Sequence, residues 1–191
     1  KIFVQGFDRP NIQLAVTFKA DWKQQTSDFV DKHQGESGIV YCLPRKKTDE
    51  TAALLQANGI SALPYHAGME KWQRDGNQDR FMREDGIVMV ATIAFGMGID
   101  KPDVRYVLHT DLPGSMEAYY QEFGRAGRDG SPAQALMLYG LGDIRMRRQF
   151  IEQEGGGEDR RRQEHKRLDA LLAYCEAPQC RRQTLLAYFS E

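Results

Sequence analysis

The sequence predicts an α/β domain, a mostly parallel sheet covered by helices on both faces, followed by a short helical appendage. Three observations support this. From about residue 38 to residue 139, short apolar runs rich in β-branched residues alternate with amphipathic stretches. At 191 residues the chain suits one main core plus an addition rather than two full-sized domains. A run of three glycines, 155–157, then separates the alternating region from a tail of different composition.

The elements follow in order. IFVQGF and NIQLAVTF, separated by a segment containing Arg9 and Pro10, are read as an edge strand or a linker pairing with the sheet. GIVYC (38–42) is a buried strand, and residues 45–58 form a helix stopped by Gly59. SALPY (61–65) is the next strand. Residues 70–83 read as a polar helix with Trp72 and Phe81 as core contacts, its continuity weakened by Gly76. IVMVAT (87–92) is the most apolar strand, and RYVLHT (105–110) follows it. Ser115 and Glu117 mark the start of a helix over 116–127, because a hydroxyl cap and an early carboxylate satisfy exposed amides. AQALMLY (133–139) is the last strand, and functional loops are expected at the strands' C-terminal ends. The main domain is drawn as 1–153; in 154–191 the Gly run is a joint before helices at 159–175 and 179–189, interrupted at Pro178.

Composition narrows the class. With 41% hydrophobic and 28% charged residues and no apolar run of membrane-spanning length, the chain is expected to be globular and without a membrane partner. The start has neither an initiator Met nor a signal segment, so it is read as the inside of a longer chain. Three cysteines, Cys42, Cys175 and Cys180, do not make a disulfide framework and suggest a reducing compartment. The net charge of −1 declares no nucleic-acid partner by itself, and Arg160, Arg161, Arg162, Lys166 and Arg167 are expected to form a solvated helix face.

Two motifs carry chemistry. In QEFGRAGRDG (121–130), on the helix after a strand, Gln121, Arg125 and Arg128 fall at i, i+4 and i+7, so one helical face is expected to present an amide and two guanidiniums. Paired guanidiniums suit a polyphosphate, being planar, permanently charged and forked donors. Gly124 and Gly127 permit close approach of another backbone or ligand. The plain alternative is an exposed arginine face pairing with Glu122 and Asp129. In ATIAFGMGIDKP (91–102), Gly96 and Gly98 form a tight loop able to offer amides, with the Thr92 hydroxyl and the Asp100 carboxylate beside it; the alternative is an ordinary strand connection.

In this order the two motifs resemble the second RecA-like lobe of superfamily 2 helicases, and more narrowly the RecQ family of DNA helicases, a P-loop NTPase-type fold. YCLPRKK (41–47), HAGM (66–69), and Arg74, Gln78 and Phe81 match further family motifs, and CRRQTLLAYFSE (180–191) resembles the opening of the RecQ zinc-binding subdomain. The resemblance implies an ATP-dependent 3′–5′ DNA helicase of replication, recombination and repair, whose ATP and Mg²⁺ are held mainly by a first RecA-like lobe of the same polypeptide. By resemblance Arg128 is the arginine finger, acting with Arg125 and Gln121, and the nucleotide also meets Asp100 and Gly98. Arg45, His66, Thr92 and Ile93 are the implied contacts to DNA, single-stranded or at duplex junctions, with His66 as a packing or capping residue held open. Lys46 and Lys47 are expected to face solvent.

Cys180 would be the first of four Zn²⁺ ligands, in a site this chain cannot complete. No GxxxxGK[ST] loop and no DExH strand end occur in the sequence, so the piece alone is expected to be inactive; it is also expected to be monomeric. The resemblance places the protein in the cytoplasm with the nucleoid, if bacterial, or in the nucleus, if eukaryotic. The alternatives are the lobe of a superfamily 2 motor acting on RNA and a non-catalytic nucleic-acid-binding module. Three positions depart from the family pattern: Pro44 replaces a small hydroxyl residue, Phe123 a small or β-branched one, and Gly76 breaks a helix.

Overall fold

The computed structural model describes residues 6–189; the beginning of IFVQGF and the last two residues of the tail motif lie outside them. Six strands form one sheet in the order β1-β6-β5-β2-β4-β3, and every pairing is parallel. They are β1 (Ile12–Phe18), β2 (Ser37–Tyr41), β3 (Ala62–Tyr65), β4 (Val88–Ala91), β5 (Val104–His109) and β6 (Ala133–Tyr139). All residues of β2 and β4 are buried, as expected for central strands covered on both faces. The edge strand is real: β1 runs alongside β6 from Ile12 opposite Ala133 to Phe18 opposite Tyr139.

The helices are α1 (Trp22–Asp31), α2 (Arg45–Ala57), α3 (Lys71–Arg83), α4 (Met116–Phe123), α5 (Leu141–Gln153), α6 (Glu158–Glu176) and α7 (Arg181–Tyr188). Neither α1 nor α5 was expected. α1 is started by Asp21, whose carboxylate accepts from the Gln24 amide, and it contributes Val30 to the core on the α2 face. α3 runs unbroken through Gly76, which has open space around it. Phe81 is fully buried, whereas Trp72 is 73% exposed and is no core contact, because it projects from the first turn of α3, beyond the face that covers the sheet.

One face of the sheet packs Val40, Val88, Val90, Tyr106 and Leu108 against Val30, Ala52 and Leu55 of α1 and α2. The other packs Ile39, Met89 and Val107 against Phe81, Met116, Tyr119 and Phe123, and this same cluster takes in Leu171, Tyr174 and Leu185 of α6 and α7. The tail helices therefore rest on the domain core. Of the five basic residues expected on a solvated face of α6, Arg160, Arg162, Lys166 and Arg167 are exposed, whereas Arg161 is half-buried and pairs with Glu152 at 3.6 Å. Among the described residues no helix is long and apolar enough to cross a membrane.

Candidate functional site

In a parallel sheet all strands end at one edge, and here the backbone pairing continues past the strands. Thr92 donates to the Tyr65 carbonyl, Cys42 to Ala91 and Thr110 to Tyr41, at 2.8–3.2 Å. The chain leaves β2 toward β3 on one side and leaves β4 for β5 on the other, so the strand order reverses around β2, where open parallel sheets form a crevice.

The candidate DNA contacts line this edge. Arg45 is the first residue of α2 and is exposed, and its guanidinium makes no hydrogen bond or ion pair among the described residues. Pro44, at the N-cap of α2, has no side-chain hydrogen bond to offer, so the first amides of this helix lack the cap a hydroxyl would supply. Ile93 is 74% exposed on the loop after β4. His66 and Thr92 are buried and already occupied. His66 Nε2 is 3.0 Å from Asp49 Oδ1 while Nδ1 accepts from the Gly68 amide at 3.1 Å, and the Thr92 hydroxyl accepts from the Ala94 amide. Lys46 is exposed, but Lys47 is not solvent-facing: its ammonium lies 2.7 Å from Asp111 Oδ1 and over the Trp22 ring.

Asp111 anchors the edge. It accepts from Lys19 at 3.0 Å, from Lys47 and from the Leu43 amide at 3.0 Å, and so fixes the segment leading into α2. Burial acts to raise its carboxyl pKa, but Lys47, Lys19 and the Leu43 amide outweigh burial and bring it down to about 2.

The arginine motif is arranged differently from the expected helix face. α4 ends at Phe123, and residues 124–129 form consecutive turns, so Gln121, Arg125 and Arg128 do not share one helical face. Gly124 caps the helix and Gly127 adopts a φ of +58°, a left-handed conformation that stops helical continuation. The loop is pinned near the opposite edge of the sheet, with Gly127 donating to the Val104 carbonyl and Asp129 to Pro102. Gln121 is exposed on the last turn of α4 without a hydrogen bond among the described residues. Phe123 is accommodated in the core against Tyr119 and Tyr120.

Both arginines nevertheless face the segment after β4. Arg125 lies against Gly96, where a Cβ would come within 2.6 Å of its Nη2; its Nε is buried without a partner. Arg128 Nη1 donates to the Ile99 carbonyl at 3.2 Å and to Asp100 Oδ1 at 2.8 Å, leaving Nε and Nη2 uncommitted among the described residues. Gly98, with a φ of +81°, forms the turn between those contacts. The alternative pairings do not occur: Glu122 meets His109 and Asp129 meets Arg105.

Sequence reasoning missed the buried cluster behind Arg125. His109 Nε2 is 2.7 Å from Glu122 Oε2, its ring stacks on Tyr41 at 5.2 Å, and the Tyr41 hydroxyl donates to the Phe95 carbonyl. Burial pushes the Tyr41 phenol up, with the Arg125 guanidinium opposing it. The signal was present in the glutamate beside Gln121, but which residue it meets depends on how α4 lies over β5.

For zinc, Cys180 is exposed at the N-cap of α7, where amides of Gln183 and Arg182 pull its thiol below the ordinary value, as suits a metal ligand. Among the described residues no cluster of three or more His, Cys, Asp or Glu side chains could hold a metal, so Cys180 is a single donor. Cys42 and Cys175 are buried, and burial pushes the Cys175 thiol up to about 12.

With this geometry in place, comparison with known proteins decides the family. The helicase conserved C-terminal domain profile matches residues 23–130, and the RecQ zinc-binding profile matches 141–191. The chain belongs to the RecQ helicase family. It is 44% identical to the RecQ-like DNA helicase BLM of Xenopus laevis, over 100% of this chain and 14% of that protein. It is also 44% identical to the ATP-dependent DNA helicase RecQ of Haemophilus influenzae, over 99% of this chain and 30% of that one. The chain thus spans less than a third of the length of these relatives. The fold is RecA-like. The structure of Mss116p DEAD-box helicase domain 2 bound to an RNA duplex superposes with a TM-score of 0.60 at 16% identity, over 82% of this chain and 68% of that one. The E. coli DEAD-box protein SrmB gives 0.57 at 26% identity, over 71% and 81%.

Proposed function

We propose that this chain is the second motor lobe of an ATP-dependent DNA helicase that travels 3′ to 5′ and unwinds DNA in replication, recombination and repair, at the nucleoid or in the nucleus. Residues 1–153 form the lobe, and 154–191 form the linker and opening helices of a zinc-binding subdomain in which Cys180 is the first ligand. The observation that carries the reading is that Arg125 and Arg128 converge on the 96–100 loop with donors unspent.

Arg128 acts as the arginine finger toward a nucleotide held with Mg²⁺ mainly by the first lobe, and Arg125, Gln121, Gly98 and Asp100 complete the nucleotide-facing surface. Asp100 holds Arg128 through an ion pair whose side chains are 37% and 83% exposed. Exposed pairs contribute only about 0–1 kcal/mol, so a triphosphate able to take a forked guanidinium displaces Asp100 readily. Bound ATP supplies the phosphoryl group, and this lobe supplies fixed positive charge as negative charge spreads over its oxygens.

The 92–103 segment runs from the DNA-facing edge to the arginine loop, so one piece of chain touches both functions. Arg45 and Ile93, with His66 and Thr92 shaping the loops behind them, meet single-stranded DNA through its backbone without reading sequence. A DNA rather than RNA substrate is favoured by the relatives at 44% identity being DNA helicases.

The test is Arg128→Ala in the full-length protein. DNA-stimulated hydrolysis should fall by about 10³ while ATP binding is retained. Turnover near the wild-type rate would refute the assignment.

A further inference from the structure

We propose that Arg9 and Asn11 are positioning residues that strap the arginine loop into its working conformation, an inference that rests on the reading of Arg128 above. Arg9 Nη1 donates to the Gly124 carbonyl and Nη2 to the Ala126 carbonyl, both at 2.8 Å. Asn11 Nδ2 donates to the Gly127 carbonyl at 2.8 Å and to Ser131 at 2.9 Å. Two side chains more than a hundred residues away thus tie down four carbonyls of the segment that carries Arg125 and Arg128. Among the described residues neither side chain makes any other hydrogen bond.

The chemistry suits the place. The carbonyls Arg9 takes belong to Gly124 and Ala126, just past the C-terminal end of α4, where the negative end of the helix dipole favours a cation. A guanidinium fork spans carbonyls two residues apart, which a point-charge ammonium does less well. Asn11 and Gly127 fit as a pair: any Cβ at 127 would collide with Asn11 Nδ2, and the left-handed φ at 127 turns its carbonyl to that donor.

The strap is itself held from the other side. Arg182 of α7 pairs with Asp8 at 2.6 Å and donates to the Ile12 carbonyl at 2.7 Å, and Phe7 stacks on Phe189 with ring centroids 4.4 Å apart. Fixed on one flank by α7, the strap on its other flank limits where the Arg128 guanidinium can reach.

The test uses the full-length protein with Arg9→Lys and Asn11→Asp, the second nearly isosteric but presenting acceptors to carbonyls. Each should lower the kcat of DNA-stimulated ATP hydrolysis by about tenfold to a hundredfold, as expected for an ångström-scale misplacement, with the KM for ATP little changed. In an Arg128→Ala background the same substitutions should cost a clearly smaller fold of activity, because the main residue they position is gone and only Arg125 remains. Equal fold losses in both backgrounds would mark a general structural role and overturn the proposal, as would an unchanged kcat. Turnover near the wild-type rate in Arg128→Ala itself would instead sink the arginine-finger reading, and the strap with it. Should either variant express poorly, amide exchange in the folded fraction decides: faster exchange at 126–130 with protection of β2 and β5 retained supports the strap, and unchanged exchange there refutes it.

Discussion

Replacing Asp111 with Asn removes one charge from the network that joins β1, α2 and the end of β5. The carboxylate sits near a pKa of about 2 because Lys47, Lys19 and the Leu43 amide outweigh its burial. An unfolded aspartate titrates near 3.9, so the folded value is the lower one, and the ionised form stabilises the native state by about 2 kcal/mol at neutral pH. That contribution is complete above about pH 5, and about half of it is gone by pH 3. Asp143 shares Lys19 at 2.7 Å, and burial followed by the neighbouring Asp111 pushes its carboxyl up, which offsets part of the gain. Urea unfolding of this chain and of Asp111→Asn should therefore differ by up to about 2 kcal/mol at pH 7 and pH 5, and by roughly half as much at pH 3. A destabilisation of the same size at pH 3 and pH 7, or none at pH 7, would refute the electrostatic account. The functional corollary follows from the Leu43 bond: in the full-length protein this substitution should also weaken single-stranded DNA binding by loosening the segment before Arg45.

Gly96→Ala brings a methyl within 2.6 Å of Arg125 Nη2, so in the full-length protein it should reduce DNA-stimulated ATPase activity by about tenfold while the thermal midpoint moves by only a few degrees; wild-type turnover would show that Arg125 is not held there. Thiol titration of the native chain should find one fast-reacting cysteine, Cys180, with Cys42 and Cys175 reacting only on unfolding, since burial raises their thiols; rapid labelling of a second thiol would contradict the packing. In the full-length protein Arg45→Ala should weaken binding of single strands of unrelated sequence to a similar extent and lower the salt dependence by about 0.7 on a log–log plot, and a sequence-selective loss would argue against a backbone contact.

The five strands β2 to β6 were legible because short apolar runs bounded by turn residues have few other places to go, and the sheet has them within a residue or two of the predicted bounds. The helices α1 and α5 escaped because polar residues dominate them and few of their side chains reach the core. α4 was read four residues too long. Helical spacing alone continues through GRAG, whereas α4 is capped at Gly124, and the left-handed Gly127, packed against Asn11 from the other end of the chain, bars a return to helix. Trp72 was placed inside on hydrophobicity, yet what decides its exposure is where the first turn of α3 emerges from the edge. Lys47 was sent to solvent by its place in a basic run, whereas Asp111 draws it in.

Fold class, the two glycine- and arginine-bearing loop motifs and the family are all written in residues close together along the chain: apolar runs, glycine spacings and the arginine motif. Which partners those residues meet is settled by the packed fold alone. Arg128 with Asp100, Arg125 with Gly96, His109 with Glu122 and Arg9 with the arginine loop are contacts across the sheet or between loops. They depend on strand order and on where each helix comes to rest, and these are set by the packing of the whole core, which no local pattern specifies.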